Sequence, residues 1–295
     1  MPFDLPCHED GGYVYPFIWD SNIQAEFNTL NLCRSNNWIK LTDAALVIKQ
    51  WQGLAYAKAF NDFSLNGEEI EAWEDGIRSL AQILNSLNNL QAYDFQFRSD
   101  VSPNGIILAQ TNDGNWMGIT STVYVASSIS RATLDFTPNT RLPLELETNI
   151  SAICDRIISI ISSLRDIKMS GDFGGGYPYS YTHQIVYGIG TTRELAWEST
   201  LQASGMLEEG KLNTIYQGDD DLIDRYCDYG GERTNDVFER YNNITKLLKQ
   251  NLSAVIVYRI SSWNSENIYI IGEVNEDKQE DRVGIYIKSN FVYNP

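Results

Sequence analysis

Three patches of this 295-residue chain recur in the same order, about 162 to 166 residues apart. A repeat of that length constrains a fold more tightly than composition does. Tyr15-Pro16-Phe17, which follows Gly11-Gly12, corresponds to Tyr177-Pro178-Tyr179, which follows Gly174-Gly175-Gly176. The helix-like run from Trp73 to Leu87 corresponds to that from Phe238 to Leu252. Gly105 to Thr111, with Gly118-Ile119 beyond it, corresponds to Asn267 to Val274, with Gly284-Ile285 beyond. The spacing predicts two copies of one fold, copy one over residues 1–134 and copy two over 149–295. The stretch 135–148 (DFTPNTRLPLELET) holds two prolines and little periodicity, and reads as a linker.

Periodicity places elements within each copy. Tyr13 to Trp19 reads as an aromatic strand, and 44–60 as a helix with an apolar face through Leu46, Ile48, Trp51 and Tyr56. Asn66 with Glu69 three residues on has the form of a helix cap. The helix that follows puts Ile70, Trp73, Ile77, Leu80, Leu84 and Leu87 on one stripe, opposite an acidic face. Tyr93, Phe95 and Phe97 alternate with polar residues, and turns at Ser102-Pro103-Asn104-Gly105 and Asn112-Asp113-Gly114 complete a three-stranded meander. Copy two opens on an amphipathic helix over 149–167, which copy one lacks. An aromatic strand region over 177–189, a helix near 193–208, a long helix over 235–252 and strands near 254–261, 267–274 and 283–292 follow. The expected class is α+β: two α/β/α sandwich-like domains, each an antiparallel sheet packed with helices.

The net charge is -17, from 39 Asp and Glu against 22 Lys and Arg. Residues 1–135 carry -9 of it and residues 136–295 carry -8, so acidity belongs to each copy rather than to a tail. Such a surface repels nucleic acid and anionic membrane and favours basic partners. Cys7, Cys33, Cys154 and Cys227 have no paired spacing, so reduced thiols in a cytoplasmic protein are expected. The opening MPFDLPCHEDGG has neither a basic region nor an apolar core.

Motif chemistry argues for binding rather than turnover. The glycine run 171–176 lacks the Lys-Ser/Thr ending of a phosphate loop. Asp219-Asp220-Asp221 with Asp224 lacks the spacing, central glycine and terminal glutamate of a calcium loop. The histidines are only His8 and His183, and no nucleophile elbow or metalloprotease motif is present. No catalytic residue, cofactor or metal site is therefore expected. What remains in excess is tyrosine, 17 residues, several beside glycine and acid. Exposed tyrosine beside acid suits a protein contact.

Each copy resembles the nuclease A inhibitor family. The shared elements are Tyr15, Pro16, Phe17 and Trp19, or Tyr177, Pro178 and Tyr179, then a long helix with Leu247, Leu248 and Leu252. Val257-Tyr258-Arg259, Tyr269-Ile270-Ile271-Gly272-Glu273 and Gly284-Ile285 complete the pattern, which is best over 235–292. The resemblance implies an α/β/α sandwich and inhibition by plugging a metal-dependent nuclease. It implies a glutamate before the Tyr-Pro that pairs with the enzyme's arginine, and a C-terminus directed at the catalytic Mg²⁺. Here Gly12 and Gly174 stand three residues before Tyr15 and Tyr177, and the nearest acids are Asp10 and Asp172. The last strand runs on to Pro295, and the family's tryptophan before the long helix has a counterpart only in Trp73. The working residues expected are Asp10, Tyr13, Tyr15, Asp172, Tyr177 and Tyr179, facing a protein partner such as a basic nuclease. The alternative is a structural or assembly part that uses the same fold without nuclease inhibition.

Overall fold

The computed structural model describes residues 13–59, 62–96, 105–123, 134–139, 152–172, 178–215, 231–262, 265–274 and 281–290. The chain begins with β1 (Tyr13–Trp19), α1 (Ser21–Gln24), α2 (Thr29–Ser35), β2 (Ile39–Thr42) and α3 (Ala44–Gly53), which runs into a 3-10 turn at Leu54–Tyr56. Next come β3 (Lys58–Ala59), β4 (Asp62–Phe63), α4 (Gly67–Leu84), β5 (Asn88–Phe95), β6 (Ile106–Gln110) and β7 (Trp116–Ser121). β8 (Asp135–Pro138), α5 (Ala152–Ser163), β9 (Ile167–Asp172), β10 (Pro178–His183), β11 (Ile185–Gly190) and α6 (Arg193–Ala203) follow. β12 (Leu207–Thr214), α7 (Gly231–Asn251), β13 (Ser253–Ser262), β14 (Ser265–Glu273) and β15 (Arg282–Asn290) complete it.

These elements form two compact units that draw on alternating stretches of chain. Met1–Asn31, Val125–Thr140 and Leu207–Pro295 make the first unit, and Leu32–Tyr124 with Arg141–Met206 make the second. The class is α+β with antiparallel main sheets, as expected from the sequence.

The second unit is built on a five-stranded sheet, β11-β7-β6-β5-β2. One face is covered by α3, α4 and α5, in a core that includes Val47, Trp51, Trp73, Ile77, Leu80, Ile107, Met117, Ile119 and Ile157. α4 starts where the capping pair was expected: Asn66 Oδ1 accepts from Glu69 N–H at 3.0 Å and Glu69 Oε2 accepts from Asn66 N–H at 3.0 Å. Its stripe through Trp73, Ile77, Leu80 and Leu84 is buried. Each such side chain stabilises the fold by roughly 1.5–3 kcal/mol. The opposite sheet face carries α6 at very short range. A Cβ on Gly188 would lie 2.3 Å from Thr200 N, and one on Gly190 2.5 Å from Ala196 N. Glycine is thus what lets this helix seat on β11. A smaller sheet, β10-β9-β3-β4, completes the unit.

The first unit is built on a six-stranded sheet, β1-β15-β14-β13-β12-β8. Tyr241 and Leu248 of α7 pack on one face against Val257, Ile268, Ile270 and Ile287. On the other face Phe27, which lies between α1 and α2, meets Trp19 and Tyr258 edge-on at 5.3 and 5.5 Å.

Local details recur between the units. β5 bulges between Asn88 and Gln91, and β13 between Ser253 and Ile256. Each bulge holds one left-handed residue, Asn89 at φ 49 and Ala254 at φ 46. α2 ends with Trp38 N–H donating to the Cys33 carbonyl and Asn37 N–H to that of Arg34, while α6 ends with Met206 donating to Leu201 and Gly205 to Gln202. Both are Schellman endings with a left-handed residue, Asn37 at φ 55 and Gly205 at φ 79. Gly118 pairs with Leu108 in β6, and Gly284 with Ile271 in β14.

Several expectations need correction. The helix over 44–60 stops at Gly53, and it buries Val47 and Trp51 while Leu46 and Tyr56 are exposed. Leu46 sits one position off the Val47–Trp51 line, which is spaced for the inner face. The first four residues of the expected linker form β8, paired with β12. The aromatic region 177–189 is two strands in different sheets, since Gln184 interrupts it. Residues 207–208, read as the end of a helix, instead open β12 once Gly205 stops α6. β1 pairs with β15 and β11 with β7, whereas the Tyr-Pro strand β10 pairs with β9 in the smaller sheet.

Candidate functional site

β1 is an edge strand, and its register sets four tyrosines in one line across the first unit's sheet. Tyr15 lies opposite Tyr286, Tyr286 opposite Tyr269, and Tyr269 opposite Tyr258. Residues directly opposite on one face are close enough for side chains to interact. Tyr15 and Tyr286 stack at 5.9 Å with 24° between planes, and Tyr286 and Tyr269 at 4.7 Å with 19°. Phe17 reaches Tyr269 edge-on at 5.0 Å, across Gly284, its own register partner. The line ends at Glu209 on β12, opposite Tyr258, whose Oε1 accepts from Asn139 Nδ2 at 2.9 Å.

Burial grades along this line. Tyr269 is fully inside, whereas Tyr15 keeps 47 % of its surface exposed. Tyr286 lies between, and its hydroxyl donates to Asn267 Oδ1 at 2.7 Å. Burial, helped by the neighbouring Tyr15, pushes the Tyr286 phenol up to about 12. Tyr15 is therefore a rigid, half-exposed ring backed by a stack. Ile18, at 71 % exposure, is also exposed on β1, but strand alternation turns it to the opposite face of the sheet from Tyr15. Pro16 takes one backbone donor out of the strand, which disfavours adding a further strand at this edge.

Of the residues expected to work together, Tyr15 alone has its side chain among those described. Asp10 and Tyr177 lie outside the described residues. Tyr13 begins β1, Asp172 ends β9 and Tyr179 lies in β10, the last two in the second unit. Tyr286 and Tyr269 were missed as partners of Tyr15. Their alternating strand patterns were visible, but the register that aligns them is a long-range property.

The other chemical candidates resolve simply. His183 is buried in β10, 3.4 Å from Thr122 Oγ1, and desolvation holds its ring down to about 4. It is neutral at pH 7 and packed inside, edge-on to Tyr181 at 5.7 Å. Cys33 and Cys154 are buried free thiols, and burial pushes the Cys33 thiol up. The glycine run and Asp219 to Asp224 fall largely or wholly outside the described residues. Among the described residues no group of three or more His, Cys, Asp or Glu is placed to hold a metal ion. No described helix is long and apolar enough to cross a membrane. Trp73 is a core residue whose Nε1 donates to the Trp51 carbonyl at 3.0 Å.

A family model described as Nuclease A inhibitor-like protein matches residues 185–289. No curated protein matches the chain. The matched stretch holds β11, α6, β12, α7, β13, β14 and nearly all of β15, and excludes the Tyr177-Pro178-Tyr179 patch. It does not close on itself. β11 and α6 belong to the second unit, whereas β12 to β15 belong to the first. β1 fills, beside β15, the edge that β11 fills beside β7.

Proposed function

We propose that the chain is a non-enzymatic, nuclease-inhibitor-like protein that binds and blocks a basic, metal-dependent nuclease. The observation that carries this reading is the family match over residues 185–289. A net charge of -17 supports it, since a basic nuclease site built for phosphates is attracted to such a surface. Tyr15 supplies a fixed aromatic anchor at the rim of the first unit. Asp10, Tyr13, Asp172, Tyr177 and Tyr179 are proposed to join it as contacts.

The same reading includes a tandem duplication with exchanged ends. The shared bulges, Schellman endings and glycine pairs support two copies of one inhibitor-like fold. On this reading each unit takes its first strand from one copy and its meander with the long helix from the other. On this account β1 and β11 are equivalent, as are α2 and α6.

Ile18 and Ile23, exposed apolar side chains of the first unit, favour a second reading, in which this unit makes an apolar assembly contact. Salt separates the two. Electrostatic association weakens as the Debye length shrinks from about 10 Å at 0.1 M to about 3 Å at 1 M, and apolar association does not. The test is titration of the full chain against purified basic nucleases at low and moderate salt. Stoichiometric inhibition that salt relieves, and that Asp10→Ala and Asp172→Ala weaken, supports the inhibitor reading. Association that resists salt and leaves nuclease activity intact supports assembly instead.

A further inference from the structure

The second unit contains an open cleft of about 520 Å³, lined by Arg34, Ile39, Leu41, Gln91, Tyr93 and Arg193. Its floor is the edge of the five-stranded sheet: Leu41 lies opposite Tyr93 and Ile39 opposite Phe95. α6 stands along one side, with Trp197 edge-on to Tyr93 at 5.9 Å and Arg193 as its first residue. Arg34, in the last turn of α2, stands on the other side.

The lining is organised. Arg34 Nη2 donates to Tyr93 Oη at 2.5 Å, and its guanidinium lies 5.5 Å from the Tyr93 ring centre. Tyr93 Oη donates to Gln91 Oε1 at 2.9 Å, and Arg193 Nη1 donates to the same oxygen at 3.4 Å. Glu194 accepts from Arg193 Nε and Nη2 at 3.0 and 2.6 Å, leaving Nη1 as the edge turned to Gln91. One chain of hydrogen bonds therefore links the two guanidinium groups across the cleft. Two arginines line the cleft, Arg193 ion-paired with Glu194 behind it, in a protein with 39 acids and 22 bases. Leu41 is 66 % exposed there, an apolar side chain without cover.

The first unit shows what this place looks like when filled. Tyr258 is the corresponding tyrosine, but Glu209 stands opposite it where Leu41 stands opposite Tyr93, β8 covers the edge of β12 beyond, and Phe27 packs on the ring. The opening is thus particular to one unit rather than a by-product of the fold.

We infer that this cleft binds a small organic anion, with its charged group between Arg34 and Arg193 and its apolar body on Leu41 and Ile39. Guanidinium pairs suit carboxylate and phosphate because their planar forks match those oxygens. The volume falls within the range of small-molecule sites. The N-terminus of α6 adds a favourable dipole for the same charge.

The test is calorimetric titration of the full chain with phenyl phosphate, benzoate, phenol and inorganic phosphate at low salt. Saturable binding of phenyl phosphate or benzoate is expected, with phenol and inorganic phosphate each weaker by about tenfold, the equivalent of ~1.4 kcal/mol. Arg193→Gln should weaken the preferred probe about tenfold, as loss of a charge-assisted hydrogen bond does. Leu41→Ser, at an exposed position that leaves the fold intact, should weaken it severalfold. Absence of saturable binding by both aromatic anions would overturn the inference. So would unchanged affinity in Arg193→Gln and Leu41→Ser chains that keep the native circular dichroism spectrum.

Discussion

Tyr93 in β5 and Tyr258 in β13 each follow a helix and open a meander, and their surroundings differ. On one side of Tyr258 the strands β14, β15 and β1 supply aromatic rings, on the other β12 supplies Glu209, and Phe27 packs edge-on against the ring. Around Tyr93 the neighbours are Leu41 and Ile106, and the next strand pair sets Thr120 opposite Val186. Where β1 carries Phe17 opposite Gly284, β11 carries Gly188 opposite Gly118. Glycine lets α6 sit down on its sheet and leaves the sheet edge open beside it. Phe17 and Trp19 fill that space with rings, and the stack they belong to surfaces at Tyr15. One unit thus presents a cleft, the other a projecting aromatic rim. A handful of side-chain sizes at the helix seat decides which.

The comparison is easiest to break at Phe27. Phe27→Ala removes the ring that covers Tyr258 and should cost the first unit about 3–5 kcal/mol. Hydrogen exchange should register the loss in β13 and β15 and leave β5 and β7 unchanged. Gly188→Ala probes the opposite arrangement by forcing a methyl group against the backbone of α6. It should cost the second unit about 1–3 kcal/mol, seen as faster exchange in β11 and α6, with denaturant melts reporting the size.

Acid and alkali should separate the units further. His183 in the second unit has its pKa lowered from 6.5 to about 4 by burial. Its neutral form stabilises the fold fully above pH 6.5, and that contribution is lost as pH falls toward 4. Tyr286 in the first unit has its pKa raised from 10.0 to about 12 by burial. Its contribution is complete below pH 10 and is lost as pH rises toward 12. Stability measured against pH should fall first in the second unit on acidification and first in the first unit in alkali. His183→Gln should flatten the acid limb, and ultraviolet titration of Tyr15→Phe should show the Tyr286 phenol titrating earlier.

The smallest expected effect concerns the paired bulges. Asn89 tolerates a left-handed backbone better than Ala254 does. Ala254 is exposed, so Ala254→Gly changes no packing and should stabilise β13 by up to about 1 kcal/mol. Asn89→Gly should gain less. Thermal melts of the two variants sharpen the comparison.

Much of the second unit was legible because its signals are local. The Asn66–Glu69 cap and the Trp73, Ile77, Leu80 and Leu84 stripe lie within one helix, and the structure keeps both. The meander strands of each unit were also legible, from alternation and turns. What stayed hidden depends on distant partners. β12 reads as a helix tail until Gly205 is seen to end α6 in a left-handed turn. Tyr15-Pro16-Phe17 and Tyr177-Pro178-Tyr179 are alike in side chains, but β1 pairs with β15 while Pro178 and Tyr179 lie in β10, which pairs with β9, a difference of partner that no local pattern carries. The tyrosine line and the two-arginine cleft are set by register between strands that are far apart in sequence, so no local pattern announces them. The alternation of chain between units is likewise a matter of which edge β1 and β11 choose.

The central claim is that the acidic chain blocks a basic nuclease and that Tyr15 anchors the contact. The most direct measurement is inhibition of a basic, metal-dependent, sugar-non-specific nuclease by the full chain and by its Tyr15→Ala variant. Tyr15 is a half-exposed ring stacked on Tyr286, so the variant loses about 0.5–1.5 kcal/mol of stacking, and its stability is measured beside its inhibition to isolate binding. The account predicts stoichiometric inhibition at low salt, relief at moderate salt, and a loss of about 2 kcal/mol or more in binding for Tyr15→Ala, the size of an interface hot spot. Full nuclease activity in the presence of excess chain at low salt would contradict it.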